Sequence, residues 1–323
     1  MKMKKNILGV DIGGTKCAVI YGQKEGDTLH LVEKVKFPTM SVDETIANIC
    51  SEIEQMMGRH GLDSSNTGAI GISCGGPLDS KRGVVMSPPN LPGWNDIPIV
   101  RMLEERFGIR TGIHNDANAC ALAEWKFGAG VGTQNMVFLT FGTGLGAGLI
   151  LDGKLYAGTN DNAGELGHIR LSEFGPVGYG KCGSFEGFAS GGGIAQLARF
   201  KVSEKQQMGE SVAWCPPGQL DSISAHTVAL AAASGDPLVL EIYRISATYL
   251  GRGLAMVIDL LNPEVIVIGS IYVRNRELME PFVLQEIERE ALSHARRVCS
   301  VRPAKLGEQI GDYAALSVAA NLI

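Results

Sequence analysis

Two stretches of the chain share one pattern: an apolar run of strand length, a glycine-containing turn and a second apolar run. The first stretch covers residues 7–21 and turns at Gly13 and Gly14; the second covers residues 136–150 and turns at a Gly-Thr-Gly sequence. Apolar runs bounded by turn residues are typical of buried strands, so each stretch predicts a β-hairpin. Glycine leaves no Cβ to block a ligand, and the N–H groups of such a turn can face an anion closely. The repeat predicts two related halves, each with a phosphate-binding turn.

The rest of the chain predicts alternating helices and strands, because apolar residues recur at helical spacing in some segments and form short continuous runs in others. Predicted helices cover residues 42–57, 99–107, 237–259, 277–295 and 312–323. Predicted strands cover residues 29–37, 69–73, 110–114, 265–268 and 297–301, with a hairpin at 149–156. Residues 201–224 are polar, contain Pro216-Pro217 and lack periodicity, which predicts a helix end and a surface excursion.

Composition narrows the class of protein. The 323 residues are 45% hydrophobic and 20% charged, which suits two folded domains rather than a disordered chain. A formal net charge of -5 gives no general attraction to nucleic acid or acidic membranes, and no apolar run reaches transmembrane length. The seven cysteines are odd in number and form no C-x-x-C pair, which argues against a disulfide framework. We therefore expect a cytoplasmic protein with small-molecule partners and no nucleic acid or membrane partner.

Two aspartates lie at positions that suit a metal ligand and a proton acceptor. Asp11 ends the first strand of the first hairpin, so it would lie beside the phosphates and could hold Mg²⁺ directly or through water; the alternative is a surface Asp before a plain turn. Asn115 and Asp116 precede an alanine-rich run, which predicts a helix N-cap. A carboxylate at a helix start feels the positive end of the dipole and tends to stay ionised, which suits a proton acceptor.

The motifs together resemble one family. The sequences DIGGTK at 11–16, HNDANA at 114–119 and FGTGLGAG at 141–148 are similar, in this order, to those of the ROK family of ATP-dependent sugar kinases and related repressors. The resemblance implies an α/β fold of two actin/hexokinase-like (ribonuclease H-like) domains, with mixed β-sheets flanked by helices and an interdomain cleft. The predicted N-terminal domain comprises residues 1–115 and 304–323, and the C-terminal domain comprises residues 116–303.

The resemblance also implies roles for individual residues. Asp116 would be the catalytic base. The implied sugar ligands are Gly76, Asn90, Asn115, Asp116, Glu165, His168 and Glu186. The implied nucleotide contacts are Asp11, Gly13, Gly14, Thr15, Lys16, Thr140, Gly142, Thr143, Gly144 and Gly269. Alternatives stay open: Gly76 could belong to a plain Gly-Pro turn, Asn90 to a turn in a proline-rich loop, and Glu165 and His168 to a solvated loop.

Two departures from the family pattern limit what carries over. The family holds a structural zinc with one histidine and three cysteines, whereas Gly178, Gly180 and Ser184 stand at the equivalent cysteine positions here, leaving Cys182 and His168. A tetrahedral site lacks donors, so no structural zinc is expected. The family also carries a longer glycine run where this chain has Gly-Ser-Ile after residue 268, which leaves the adenine contacts open.

The predicted function is ATP- and Mg²⁺-dependent phosphorylation of a hexose or N-acetylhexosamine, of the glucose, N-acetylglucosamine or N-acetylmannosamine class, at the 6-OH, by a homodimer. Alternatives are a fructokinase or allokinase of the same family, and a non-catalytic sugar-responsive regulator. Such repressors carry a helix-turn-helix domain ahead of the sugar-binding fold, and a first phosphate turn at Asp11 leaves no room for one. Gly142-x-Gly144-x-x-Ala147 also fits a relaxed dinucleotide fingerprint, but that motif needs a helix after it and a hairpin is predicted.

Overall fold

The computed structural model describes residues 4–323, which form two compact units. The first unit comprises the chain up to Gln134, Gly148–Ala163 and Lys305–Ile323, and the second comprises Asn135–Ala147 and Gly164–Ala304. The predicted domain boundaries lie at 115/116 and 303/304. In the structure the helix that follows Asn115 belongs to the first unit instead of the second, and the predicted division stays a prediction.

Secondary structure alternates along the chain. The first elements are β1 (Lys4–Ile12), β2 (Lys16–Glu25), β3 (Thr28–Pro38), α1 (Val42–His60), β4 (Thr67–Cys74), β5 (Leu78–Asp79), β6 (Val84–Val85), α2 (Ile99–Phe107), β7 (Thr111–Asn115), α3 (Asp116–Phe127), β8 (Met136–Phe141), β9 (Leu145–Leu151) and β10 (Lys154–Tyr156). They are followed by β11 (Val177–Gly178), β12 (Lys181–Cys182), α4 (Phe185–Phe188), α5 (Gly191–Gln207), α6 (Ala225–Ala233), α7 (Pro237–Leu261), β13 (Val265–Ile268), α8 (Ile271–Arg274), α9 (Arg276–Glu290), α10 (Ser293–Val298), β14 (Ser300–Pro303) and α11 (Ile310–Asn321).

The first unit is built on a mixed five-stranded sheet of order β3-β2-β1-β4-β7. The predicted first hairpin is confirmed, since β1 and β2 pair antiparallel, while β4 and β7 join in parallel. One face packs its apolar side chains against α1 and α2, and the other packs against α11. A Cβ at Gly71 would collide with the backbone of Ala315 and Ala319. Glycine at this position lets α11 lie directly on the sheet.

The second sheet has the order β10-β9-β8-β13-β14. Val265 pairs with Met136 on one side and with Ser300 on the other, both in parallel register. All four residues of β13 are fully buried, as the continuous apolar run predicts for a central parallel strand. Gly142 and Gly144 turn between β8 and β9, which are both strands, so the dinucleotide-fold alternative, which needs a helix here, is wrong.

Three predicted boundaries are wrong for identifiable reasons. Helix α1 runs through Gly58 and ends only at Gly61, whose φ of 62° is the left-handed conformation typical of a helix end. The predicted helix 277–295 is two helices, because Ala291 adopts an extended conformation and the Leu292 N–H donates to Asp259 at 2.9 Å. Since α10 continues to Val298, the last strand starts at Ser300 rather than at residue 297.

Along the part of the chain described here, no helix combines the length and apolar character needed to cross a membrane. All seven cysteines are free thiols, and four of them, Cys17, Cys50, Cys74 and Cys215, are buried.

A buried carboxylate ties the end of α3 to the chain that leads into α11. Glu124 is fully buried. Its Oε2 accepts from the N–H of Ala129 at 2.7 Å and of Lys305 at 3.2 Å, and its Oε1 accepts from the N–H of Leu306 at 2.9 Å. One side chain therefore satisfies three backbone donors from two distant segments of the first unit.

We predict that Glu124→Ala lowers the free energy of unfolding by roughly 3 kcal/mol or more, because hydrogen bonds to a charged group contribute about 1.5–3 kcal/mol each. Urea unfolding followed by circular dichroism measures the change. The matched control is Glu105→Ala, since Glu105 is exposed and pairs with exposed Arg101, and its loss should change stability by about 0.5 kcal/mol or less. Equal effects of the two substitutions would contradict the role assigned to Glu124.

Candidate active site

The first phosphate-binding turn spans Gly13–Thr15 between β1 and β2. The N–H of Gly13 donates to the carbonyl of Lys16 at 3.2 Å. From the far end of β3, the Thr39 hydroxyl donates to the Gly13 carbonyl at 2.5 Å and the Thr39 N–H donates to the Thr15 carbonyl at 3.1 Å. Thr39 therefore constrains the carbonyls of Gly13 and Thr15, while the Gly14–Lys16 segment is exposed.

The predicted sugar ligand Asn90 packs against this turn. A Cβ at Gly14 would collide with the Asn90 carbonyl oxygen and lie 3.1 Å from the Asn90 Cβ. The Asn90 amide atoms lie 3.2 and 3.3 Å from the position of a Cβ at Gly75, which precedes Gly76 at the end of β4. The close approach of the Asn90 backbone thus requires glycine at position 14, and at position 75 a Cβ would make a tight contact with the Asn90 amide. The sequence does not reveal either contact.

Asn115 and Asp116 differ in their contribution to the cap of α3, which the sequence assigns to both residues. The Asn115 Oδ1 accepts from the Asn118 N–H at 2.8 Å and caps α3. Asp116 is the first residue of the helix, and its Oδ1 accepts from the Ala117 N–H at 2.9 Å. Capping therefore needs Asn115 only, and the Asp116 carboxylate is not needed as the cap.

The pKa of Asp116 departs from the sequence-based expectation. The helix start predicts a readily ionised carboxyl, but desolvation raises its pKa and outweighs the lowering by the N–H groups of Ala117 and Asp116. Asp116 is exposed. The density of protein atoms around its carboxyl group nevertheless removes much of its hydration. A raised pKa makes this carboxylate a stronger proton acceptor than an ordinary Asp.

Asp11 lies at the end of β1 and is half-buried. Burial raises its pKa to about 6, Lys34 opposes this shift, and the negative charges of Asp312 and Asp116 add to it. The protein alone therefore balances the charge of Asp11 incompletely. One carboxylate in this state fits Mg²⁺, an ion that proteins commonly bind through one or two carboxylates together with substrate phosphates and water.

Sequence reasoning missed the ion pair between Lys34 on β3 and Asp312 on α11. Asp312 is buried, and both charges act on Asp11. The only sequence signal is an acidic residue within the apolar C-terminal helix, and no local pattern shows that Lys34 lies opposite it.

The second phosphate-binding turn, Gly142–Gly144, is held from the start of α5. The N–H groups of Gly191 and Gly192 donate to the carbonyls of Gly142 and Thr143 at 2.8 and 3.3 Å. The hydroxyl of Thr140, a predicted nucleotide contact, bonds to the backbone of Gly146 in the same hairpin, accepting from its N–H at 2.9 Å. Thr140 thus supports the hairpin that carries the turn.

The predicted sugar ligands of the second unit lie on two short helical turns. Glu165 precedes the 3-10 turn Leu166–His168, and His168 is its last residue. Both side chains are exposed. Glu186 lies on α4, and its Oε2 accepts from the Leu145 N–H at 2.9 Å. A Cβ at Gly167 would collide with the Leu145 carbonyl and lie 3.3 Å from the Glu186 Cβ. The structure therefore brings the Glu165–His168 loop, Glu186 and the second phosphate turn together.

A cavity of about 820 Å³ opens beside the second phosphate turn. Gly269, the predicted adenosine contact, is buried, and its N–H donates to the Leu139 carbonyl at 2.9 Å. The next two residues, Ser270 and Ile271, line the cavity wall in its place. Sequence reasoning missed several lining residues, chiefly Arg199, His226, Tyr243, Arg274 and Asn275. Their helices converge only in the fold, so no motif in the sequence indicates them.

The region of the family's zinc site does not fit a zinc ion. Gly178 and Gly180 offer no side-chain donor, and the Ser184 Oγ already accepts from the Gly187 N–H at 3.1 Å and donates to the Gly178 carbonyl at 3.3 Å. Cys182 directs its thiol at the Gly175 carbonyl, 3.2 Å away. Across residues 4–323, no three His, Cys, Asp or Glu side chains form a group that could hold a metal ion.

Two glycine-turn hairpins on mixed sheets, with carboxylates at the strand ends, define a nucleotide-binding α/β protein. The chain belongs to the ROK family, whose model matches residues 7–321. The glucokinase of Streptomyces coelicolor is 32% identical over 315 residues, covering 97% of this chain and 96% of that protein. The predicted family is therefore confirmed.

Solved structures confirm the predicted fold class. A ROK family glucokinase from Streptomyces griseus, in complex with glucose and AMPPNP, is 31% identical with a TM-score of 0.72, covering 98% of each chain. A ROK family transcriptional regulator, a homologue of the Escherichia coli MLC protein, is 27% identical with a TM-score of 0.84, covering 99% of this chain and 79% of that one. The fold is thus shared by kinases and by a regulator, and the site chemistry must distinguish them.

We predict that the purified protein carries far less than one zinc per chain and that EDTA leaves its thermal unfolding midpoint unchanged, because the loop around Ser184 is closed by hydrogen bonds. Elemental analysis and a thermal melt measure these two quantities. One tightly bound zinc per chain would show that residues other than those at the equivalent positions supply the ligands.

Proposed function

We propose that the protein transfers the γ-phosphoryl group of ATP to the 6-OH of a hexose or N-acetylhexosamine of the glucose class, with Asp116 as the general base. The observation that carries the proposal is the placement of Asp116, an exposed carboxylate at the start of α3 that the Asn115 cap leaves available, with a pKa raised by the surrounding protein. The class, an ATP-dependent sugar kinase, agrees with the glucokinases that the chain resembles over nearly its whole length.

The nucleotide would occupy the cavity of the second unit. Its volume of about 820 Å³ falls within the usual range of small-molecule sites. Thr143 at the cavity edge places the second phosphate turn next to the proposed adenosine pocket. The assigned phosphate and nucleotide contacts are Asp11, Gly13, Gly14, Thr15, Lys16, Gly142, Thr143 and Gly144, with Thr140 and Gly269 supporting them from behind.

The sugar would be held by hydrogen-bonding side chains around its ring. The assigned ligands are Gly76, Asn90, Asn115, Glu165, His168 and Glu186, with Asp116 at the attacking hydroxyl. Carboxylates accept hydrogen bonds from sugar hydroxyls, while the amides both donate and accept, so the set suits a polyhydroxylated ring. The C2 substituent, hydroxyl or N-acetyl, separates the sugars of this class.

The reaction needs charge neutralisation and positioning more than covalent chemistry from the protein. Mg²⁺, when bound at Asp11, would neutralise charge on the transferring phosphate oxygens. Asp116 would accept the proton of the attacking hydroxyl, and its raised pKa favours this transfer near neutral pH.

A sugar-responsive regulator is the second candidate, because a regulator shares the fold with a TM-score of 0.84. A regulator needs sugar binding but not a proton acceptor. Coupled ATP turnover across glucose, N-acetylglucosamine, N-acetylmannosamine, fructose and allose separates the candidates and names the substrate. Sugar binding without turnover on any of the five would favour the regulator, and light scattering on the same sample tests the proposed homodimer.

We predict that Asp116→Asn lowers kcat by about 10²-fold or more, the usual scale of general acid–base contributions. The fold should survive, because Asn115 caps α3. A carboxyl whose pKa is raised on folding loses stability as pH rises through that pKa, so removing its charge should leave the melting temperature at pH 7 unchanged or raise it. Steady-state kinetics and a thermal melt measure both effects.

Asp43→Asn is the matched control, because Asp43 is likewise an exposed aspartate in the first turn of a helix, here α1. Its kcat should equal that of the wild type. Near-normal kcat for folded Asp116→Asn would remove Asp116 as the base and direct attention to Glu165 and Glu186.

A further inference from the structure

Glu186 contacts the backbone of the second phosphate turn. Its Oε2 accepts from the Leu145 N–H at 2.9 Å, and a Cβ at Gly144 would lie 2.6 Å from the same oxygen. The carboxylate therefore packs directly on the last residues of the Gly142–Gly144 turn. A side chain that only ligated a sugar would have no need of this contact.

The opposite side of the same turn faces the cavity. Gly191 and Gly192 bond to the carbonyls of Gly142 and Thr143, and all four residues line the 820 Å³ cavity. The turn is thus held between Glu186 on one side and the start of α5 on the other. A change in the hydrogen bond at Leu145 would reach the phosphate turn directly, because Leu145 follows Gly144 in the chain.

The backbone that carries Glu186 is held by a helix cap and by a buried aromatic side chain. Ser184 caps α4, and the neighbouring Phe185 is 1% exposed and packs against Gly253 of α7. Glu186 itself is half-buried. Since the backbone is held in this way, the carboxylate can respond to a ligand by rotation of its side chain, which would alter the bond to Leu145 directly.

We infer that Glu186 couples sugar binding to nucleotide binding in this protein. Its Oε2 holds the Leu145 N–H while the other carboxylate oxygen accepts from a sugar hydroxyl, so that bound sugar fixes the rotamer that keeps the second phosphate turn in place. The inference rests on the proposed function and adds to it a positioning role for Glu186 at the second phosphate turn. Coupling of this kind is reciprocal: sugar tightens nucleotide binding by the same factor as nucleotide tightens sugar binding.

Calorimetry with AMPPNP and Mg²⁺, without and with a saturating amount of the best sugar of the five-sugar panel, measures the coupling. In the wild type we expect the sugar to lower the Kd of AMPPNP by about 5-fold or more, the lower end of typical coupling factors. In Glu186→Gln the ratio should fall toward 1, because a neutral amide makes weaker hydrogen bonds than a carboxylate to both the Leu145 N–H and the sugar hydroxyl.

His168→Gln is the control, since it alters another assigned sugar ligand whose described contacts go to Tyr179, Glu165 and Lys181. It should weaken sugar binding and keep the wild-type ratio. A Glu186→Gln protein that loses sugar affinity but keeps the ratio would overturn the inference and leave Glu186 an ordinary ligand.

Hydrogen exchange of the wild type gives a readout that does not depend on any variant folding. Sugar alone should slow exchange of the Leu145 amide, and unchanged exchange with bound sugar would overturn the coupling. Failure of the proposed function is distinguishable, because it appears as absent turnover in the coupled assay or as no binding of any of the five sugars, and neither readout depends on exchange at Leu145.

Discussion

Three neighbouring strands of the first unit end at the same level, because Ile12 pairs with Cys74 and Cys74 pairs with Asn115 in parallel register. Carboxyl ends of parallel strands meet at one edge of a sheet, where open α/β folds place their ligands. This register sets Asp11, the Gly75-Gly76 turn and the start of α3 side by side. A shift of one residue in either pairing would reverse the side-chain faces and separate these groups.

The two phosphate turns are supported by different neighbours. Thr39 holds the carbonyls of the first turn from β3. The start of α5 and the Glu186 carboxylate hold the second. A turn rich in glycine has little conformational preference of its own, so its shape must come from such contacts. The second turn is tied to a proposed sugar ligand through the carboxylate of Glu186, whereas Asn90 packs against the first turn through its backbone carbonyl and Cβ.

Four acidic residues of the fold fall into two groups. Glu124 accepts from three backbone N–H groups, and Glu286 pairs with Arg252 and Arg289, so both carboxylates are compensated by the protein. Asp11 and Asp116 are less well compensated, and desolvation raises the pKa of each. Structural carboxylates are satisfied within the fold, whereas the raised pKa values mark groups whose partner is expected to be a ligand.

The sequence by itself determined both hairpins, the family and most helices, because these depend on local patterns of apolar residues, glycines and caps. It could not place Lys34 against Asp312 or Glu186 against Leu145, and it could not predict the lining of the cavity beside the second turn, because these groups are distant along the chain and follow no periodicity. It also assigned the capping of α3 to a pair of residues and misjudged the pKa of Asp116. Only the tertiary structure decided these points, since desolvation and contact depend on which segments surround a side chain.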